Sequence, residues 1–400
     1  MRKKHLGFSL LVICLCLCLV GCSDREKEEA WVVPANYDGV QSETGYFYPK
    51  EGFLYYTDFS SGISVCLCSR AGCQHDNQDL CDSWIGSHVE MFFWEDKLYY
   101  LKSTAYGPCL YRRDQDGGGL TTVATLCETY LEEENGISIQ IGKQAVTGGY
   151  LYYTADVQAV RFVGDRSELV TLYSLIQQID LKSGKEKTIL KDELGVNLVA
   201  AKGDRIRYRT ADKMANLDGA DHDAICNAYK NTKTRIIERN VATGEETVLL
   251  EKTKYDFFSA EIILDDKIIY MSYESDDANN AYYYSYDLRT KETAFYHKGN
   301  LVGAFAGRYC LHWDSQRKQT ILFDFETGQE LPIHSFYGDD ATAYITVVNP
   351  AGDYVILRRY CRPVSGGGSV GEMVYFYVPI SALSDGLQEK DCTDYYVWKK

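Results

Sequence analysis

The chain has 400 residues, 45% of them hydrophobic, and a formal net charge of −15 at pH 7. An acidic surface repels nucleic acid and anionic lipid, and no basic stripe interrupts it, so nucleic acid is set aside as a partner. With 33 Tyr against 7 Pro, the composition is neither disordered nor linker-rich, and the chain can bury a substantial core.

Residues 1–22 read MRKKHLGFSLLVICLCLCLVGC. Arg2, Lys3 and Lys4 form a positive n-region, residues 6–19 an apolar run of signal-peptide length, and Leu19-Val20-Gly21 a small-residue approach to Cys22. Without those three basic residues, 39 Lys and Arg face 57 Asp and Glu, a net −18. The tetrapeptide Leu19-Val20-Gly21-Cys22 resembles the lipobox of bacterial lipoproteins. That resemblance implies a signal peptide over residues 1–21, removed once the sulfur of Cys22 carries a diacylglyceryl group. It also implies acylation, palmitate included, at the new N-terminus. Residues 22–36 are then the lipidated cysteine and its tether, with the charged, aperiodic SDREKEE at 23–29. A transmembrane helix is the competing reading, but the run is short and acidic residues follow it directly. The expected location is the extracytoplasmic face of the cell membrane, with the lipid on Cys22 as the membrane contact. Each buried methylene contributes about 0.8 kcal/mol, so two or three acyl chains hold far more firmly than one.

From residue 37 to 400 the chain repeats itself. A turn followed by an apolar-aromatic strand recurs at Gly52-Phe-Leu-Tyr-Tyr56, Asp96-Lys-Leu-Tyr-Tyr100, Gly149-Tyr-Leu-Tyr-Tyr153, Gly203-Asp-Arg-Ile-Arg-Tyr208, Asp266-Lys-Ile-Ile-Tyr270, Gly307-Arg-Tyr-Cys-Leu311 and Gly352-Asp-Tyr-Val-Ile356. A second motif, a strand closed by an acidic or polar turn, follows most of them. Examples are Ile179-Asp-Leu-Lys-Ser-Gly184, Arg239-Asn-Val-Ala-Thr-Gly244 and Phe323-Asp-Phe-Glu-Thr-Gly328. The pattern is a β-meander with a repeat of roughly 40 to 60 residues, the spacing of four-stranded propeller blades. The sequence predicts an all-β chain with one β-propeller of about seven blades, six or eight being the neighbouring counts. Helical periodicity is nearly absent; 212–229 is the best candidate, as an insertion within one blade.

Tyr55-Tyr56-Thr57-Asp58 is one substitution from the Tyr-Trp-Thr-Asp signature, and Leu110-Tyr111 followed by Asp114-Gln-Asp-Gly117 matches a strand and turn of the same group. On these residues the chain resembles the LDL-receptor-like, or YWTD, β-propellers, and it is similar to uncharacterised surface lipoproteins of Gram-positive bacteria. The resemblance implies the fold and names no activity.

Cysteine is concentrated in one loop, where Cys68, Cys73, His75 and Cys81 lie close together and Cys66 precedes them. Three thiolates and an imidazole suit a closed tetrahedral zinc site. The spacing C-x4-C-x-H-x5-C is not a familiar zinc-ribbon or knuckle pattern, and outside the cytoplasm paired cysteines usually staple loops. A disulfide in this loop is therefore expected ahead of zinc or of free thiols, with no other cofactor. A similar Cys-rich loop occurs in uncharacterised Gram-positive lipoproteins, without a known chemistry. Cys109 and Cys127 flank one hairpin and are a further possible pair.

Other motifs read as structure. Gly367-Gly-Ser369-Val-Gly371 has the string of a nucleophile elbow but sits in a Gly/Ser hairpin loop, so no catalytic residue is assigned. Asp114 with Asp116, and Asp218, Asp221 and Asp223, read as solvated turns rather than cation sites. In doublets such as Tyr55-Tyr56 one ring must face each side of its sheet. Some tyrosines, with Trp84, Trp94 or Trp313, can form a platform for a sugar or peptide. The reading is a lipid-anchored binding or protein-interaction module with a protein or glycan ligand. A lyase or hydrolase with carboxylates at the propeller channel, and a scaffold of an envelope complex, are the alternatives.

Overall fold

The computed structural model describes residues 31–32 and 39–398, apart from 77, 79, 87–88, 105–106, 129–136, 164–165, 215–220, 258, 264–265, 273–281, 299, 306–307, 315–316, 318, 326, 334–343, 350–352 and 361–372. Cys22, the residues before it, the 23–29 tether, Asp218 and Ser369 lie outside the described residues.

Seven four-stranded antiparallel sheets follow one another, each with its strands in chain order. The first holds β1 (Val40–Gln41), β2 (Gly45–Lys50), β3 (Phe53–Asp58) and β4 (Ser64–Cys66). The second holds β5 (Glu90–Trp94), β6 (Lys97–Thr104), β7 (Gly107–Asp114) and β8 (Thr121–Thr125), and the third β9 (Ile137–Thr147), β10 (Tyr150–Val163), β11 (Arg166–Asp180) and β12 (Glu186–Asp192). The fourth holds β13 (Val196–Lys202), β14 (Arg205–Ala211), β15 (Lys233–Asn240) and β16 (Glu246–Thr253), and the fifth β17 (Ser259–Ile263), β18 (Lys267–Ser272), β19 (Tyr282–Asp287) and β20 (Thr293–Lys298). The sixth holds β21 (Asn300–Phe305), β22 (Tyr309–Asp314), β23 (Gln319–Asp324) and β24 (Gln329–Leu331), and the last β25 (Tyr344–Asn349), β26 (Tyr354–Tyr360), β27 (Met373–Pro379) and β28 (Thr393–Trp398). First strands of successive sheets neighbour one another, as β1 with β5, β9 with β13 and β21 with β25, so they line the inside of a ring. The chain is an all-β, seven-bladed β-propeller, as the repeat count predicts.

Two details of the repeat come out differently. In six blades the aromatic motif forms the second strand, whereas Gly52-Phe-Leu-Tyr-Tyr56 enters β3, the third strand of its blade. The first blade merges both motifs into one segment, because Asp58 also closes the β3–β4 turn. Its Oδ1 accepts from the backbone N–H of Ser61 at 2.8 Å and the hydroxyl of Ser60 at 2.6 Å. Asp180, Asn240 and Asp287 close the equivalent turns with the same side-chain-to-backbone bonds, which is why the repeat carries Asp or Asn there. The helix, α1 (His222–Asn231), starts well inside the predicted 212–229 span, because the Asp221 side chain caps it by accepting from Ala224 N at 2.8 Å. Asp221 is thus a helix cap within the β14–β15 connection, and Asp116 a turn former whose Oδ1 takes the N–H of Gly118 at 2.8 Å.

Among the described residues the core falls into seven clusters, one between each pair of adjacent blades. Strand alternation builds them: Tyr99 packs toward the third blade and Tyr100 toward the first, while Tyr152 packs toward the fourth and Tyr153 toward the second. At the second interface a polar network is embedded in this packing. Tyr153 donates its hydroxyl to Glu186, and the backbone N–H of Cys127 points at both Glu186 oxygens, 3.1 and 3.0 Å away. Burial pushes the Cys127 thiol up to about 12 and the Glu186 carboxyl above its ordinary range. Cys109 and Cys127 are separate buried thiols, so the pairing considered for them is not formed.

The network makes a test of the packing. Glu186→Ala leaves a buried hydroxyl and N–H without their acceptor, and is expected to lower stability by about 2–3 kcal/mol in urea unfolding, while Glu186→Gln keeps an acceptor and costs less. Because the folded carboxyl holds its proton more tightly than the unfolded one, its contribution is full below the ordinary Glu range. It is lost as pH rises through the raised value. Glu186→Gln should remove that slope from the pH profile of stability; an unchanged slope would count against the assignment.

Candidate aromatic cleft and cysteine–histidine loop

Among the described residues each sheet takes its four strands from one run of the chain, so no strand is shared where the ring closes between the last blade and the first, while Val32, ahead of the first blade, bridges to Ala201 of β13 in the fourth blade. Side chains do the work instead. Tyr46, Tyr48, Ile356 and Tyr377 are buried together, with Tyr55, Phe59, Tyr354 and Tyr395 against them. Tyr46 and Tyr48 point the same way because they are two apart on β2; Phe47 between them joins the opposite interface. The Tyr46 and Tyr48 rings stack at 5.4 Å, and Tyr395 meets Tyr48 edge-on at 5.3 Å. Tyr377 donates to Phe59 O at 2.9 Å and Gln41 to Tyr354 O at 2.7 Å, two bonds that join the last blade to the first across the seam.

Above this seam the aromatic rings leave a cleft of about 400 Å³, walled by Tyr46, Tyr48, Trp84, Tyr375, Tyr395 and Tyr396, with Glu51 and Gly52 at its edge. Tyr375 and Tyr396 stack at 5.2 Å, and the Lys50 ammonium sits 4.6 Å from the Tyr396 ring centre. Burial raises the hydroxyls of Tyr48, Tyr395 and Tyr396 above the usual phenol range, so all three are protonated donors at neutral pH. Glu51 is the one carboxylate among the lining residues.

Of the three tryptophans singled out in the sequence, Trp84 reaches this cleft. Trp94 packs against Tyr99 on another interface, and the side chain of Trp313 lies outside the described residues. Trp84 is delivered by the loop that carries the cysteines. In an antiparallel blade the β2–β3 turn and the exit from β4 lie at the same edge, so this loop rises beside Glu51 and Gly52. The chain leaves the sheet at Leu67, whose N–H bonds Leu54 O at 2.9 Å, and returns at Ser83, whose carbonyl takes the Leu54 N–H at 2.8 Å. Ile85 N then bonds Gly52 O at 2.9 Å, which seats the indole on Gly52 and edge-on to Phe53 at 5.0 Å. Gly52 has φ +86°, and a Cβ there would lie 2.2 Å from Trp84 Cζ3. The turn therefore requires glycine twice over.

Between those two anchor points, Cys68, Cys73, His75 and Cys81 come together. Their ligand atoms all lie within 4.8 Å of one another, with His75 Nδ1 3.3 Å from Cys81 Sγ. Among the described residues this is the one place where three or more Cys, His or carboxylate groups meet in this way. The described cysteines are free thiols, so the loop disulfide expected from the compartment is not the state seen here. Cys66 stands aside, bonded to Ser83 Oγ at 3.1 Å, and that same hydroxyl lies 2.9 Å from Cys81 Sγ. Around the cluster, Asp82 holds Ser69 at 2.6 Å and Arg70 at 2.7 Å.

Two carboxylates elsewhere have structural partners. Asp324, fully buried, is gripped by Arg308 at 3.1 and 2.8 Å, and Glu186 belongs to the Tyr153 network.

Solved structures share this architecture. The β-propeller domain of the Trilobed protease from Pyrococcus furiosus, reported with an open velcro topology, aligns with a TM-score of 0.51 at 11% identity. The alignment covers 92% of this chain and 99% of that one. A puromycin-hydrolyzing peptidase of Mycobacterium tuberculosis gives 0.54 at 10% identity over 93% of this chain and 54% of its own, so the chain spans about half the length of that peptidase. An oligogalacturonate lyase in complex with manganese gives 0.45 at 12% identity over 82% and 87%. No family model matches the chain, and no curated protein matches its sequence. At such identities the likeness shows the fold: the chain is similar to β-propellers that belong to proteins of different activity.

Proposed function

We propose that the chain is a lipid-anchored, extracytoplasmic binding module of the YWTD-like kind that holds a glycan in the aromatic cleft between its last and first blades. The cleft carries this reading. Its rings offer flat apolar faces for the CH faces of a pyranose, and the half-buried, neutral Tyr396 phenol offers a hydrogen bond. With a mature charge of −18 and Glu51 at the edge, neutral or amino sugars suit it better than anionic ones. The lipid on Cys22 keeps the cleft near the cell surface, and rests on the lipobox-like sequence.

The full-length protein, extracted in detergent, is applied to glycan and peptide arrays beside Trp84→Ala. The expected result is retention of a neutral or amino glycan that falls about tenfold in the variant, since stacking on one aromatic is worth about 0.5–1.5 kcal/mol beyond its area and the indole's own apolar area adds to it. Retention of peptides alone would favour the protein-interaction reading, and conversion of an arrayed glycan would favour the lyase or hydrolase. In the same preparations Cys22→Ala should lose metabolically incorporated palmitate and retain residues 1–21, since their removal follows acylation; a variant that stays acylated would remove the anchor from the proposal.

A further inference from the structure

The cysteine loop is the strongest feature that the cleft reading leaves unused. It runs from Leu67 to Ser83 with little core of its own: Leu80 is exposed, and Ser69, Arg70, Gln74 and Asp76 face solvent. Small units without an apolar core need a staple, a disulfide or a metal. A disulfide would use two of the three thiols and leave a third, with an imidazole, crowded against it. The observed arrangement brings all four groups to one point.

We propose that Cys68, Cys73, His75 and Cys81 bind one Zn²⁺ in a closed structural site, which holds the loop in the shape that presents Trp84 to the cleft. The spacing fits the ion. Zinc with sulfur ligands at about 2.3 Å in a tetrahedron places them about 3.8 Å apart, with nitrogen slightly closer. The four atoms within 4.8 Å and the 3.3 Å His75–Cys81 approach are within a small adjustment of that figure. His75 is held at φ +55°, a left-handed conformation that a non-glycine residue adopts at a cost, and that conformation accompanies its ring's position within the cluster. Ser83 supplies an outer hydrogen bond to the Cys81 sulfur, as ligand sulfurs in metal sites commonly receive. On binding, the three thiols release three protons to solvent and the imidazole coordinates as the neutral ring, leaving one net negative charge. The buried Arg113 donates to the carbonyl of Gly117, which packs against Leu67 at the start of the loop, and keeps Nε and Nη1 without a hydrogen-bond partner, so a cation stands beside the loop. Thiolate-rich tetrahedral sets select zinc over magnesium, calcium or manganese.

The metal site stands on its own geometry; only its consequence for Trp84 rests on the cleft reading. The test uses the full-length protein, purified from membranes under anaerobic conditions, with bound metal and free thiols measured on the same sample. One zinc per chain is expected, replaceable by Co²⁺ with visible bands of a tetrahedral cobalt–thiolate centre. Cys73→Ser and His75→Ala should lose most of that zinc, or bind Co²⁺ with an altered spectrum, while Cys66→Ser keeps one equivalent. Chelation should open residues 67–83 to proteolysis. A chain without zinc, a disulfide between any two of Cys68, Cys73 and Cys81 in membrane-extracted protein, or a Cys66→Ser variant that loses the ion while His75→Ala retains it would each overturn the proposal. Zinc present without any glycan retention would remove the cleft reading and leave the metal site standing.

Discussion

Replacing Gly52 by alanine is expected to destabilise the propeller and to move Trp84 out of the cleft in a single step. Position 52 lies at φ +86°, where a Cβ costs about 1–2 kcal/mol by itself. The added carbon would also sit 2.2 Å from Cζ3 and 2.4 Å from Cη2 of the indole, so the turn or the ring must give way. The ring is the easier to move, because its backbone lies at the end of the cysteine loop, whereas Gly52 is held between β2 and β3. Urea unfolding should therefore show a loss of about 2–3 kcal/mol, and Trp fluorescence should shift to the red by a difference that vanishes in a Trp84→Phe background. An unshifted spectrum at lowered stability would mean that the turn moves instead, and that Trp84 is fixed by its loop rather than by its seat on Gly52.

The second large effect is expected at the seam of the ring. Tyr377 is almost fully buried, packs on Phe59 at 4.8 Å and edge-on to Tyr354 at 5.7 Å, and donates to Phe59 O. Removing the ring in Tyr377→Ala should cost about 3–5 kcal/mol, the range for large aromatic-to-alanine changes in a core. Tyr377→Phe should cost only about 1 kcal/mol, the net worth of one hydrogen bond. Since no strand crosses this seam among the described residues, the alanine variant should also become sensitive to proteolysis in the first and last blades before the middle blades unfold. Equal protection at all seven blades would show that closure is no weaker than the other interfaces.

These two positions illustrate different kinds of information in the chain. The glycine before β3 was visible as a turn residue in a repeated motif, but its role as the seat of Trp84 depends on a loop that leaves the sheet at Leu67 and returns at Ser83. Tyr377 was one tyrosine among many, in a strand whose partner cluster includes Tyr46 from the other end of the chain. The cysteine loop stands between these cases. Its four ligand residues are near neighbours in sequence and could be picked out by type. Whether two sulfurs pair or four groups converge is decided by the path of the loop, and the left-handed backbone at His75 is part of that path.

What the sequence by itself determined was local: alternation of aromatic and polar residues with a period of two, turns closed by Asp or Asn and glycine, and a repeat length that admits four strands per blade. Those signals depend on neighbouring residues only, so they survive without coordinates, and they specify the blade and a count of about seven, which the sheets fix at seven. The tertiary structure decided everything that joins distant residues. It set the phase of the first blade, in which β3 carries both motifs, because the short β1 has little sequence signal of its own. It placed Glu186 under Tyr153 and Cys127, and it gathered Tyr46, Tyr48, Tyr375, Tyr395 and Tyr396 from opposite ends of the chain into one cleft with Trp84. A ring brings its first and last blades side by side, and no local pattern of residues records which of their side chains will meet.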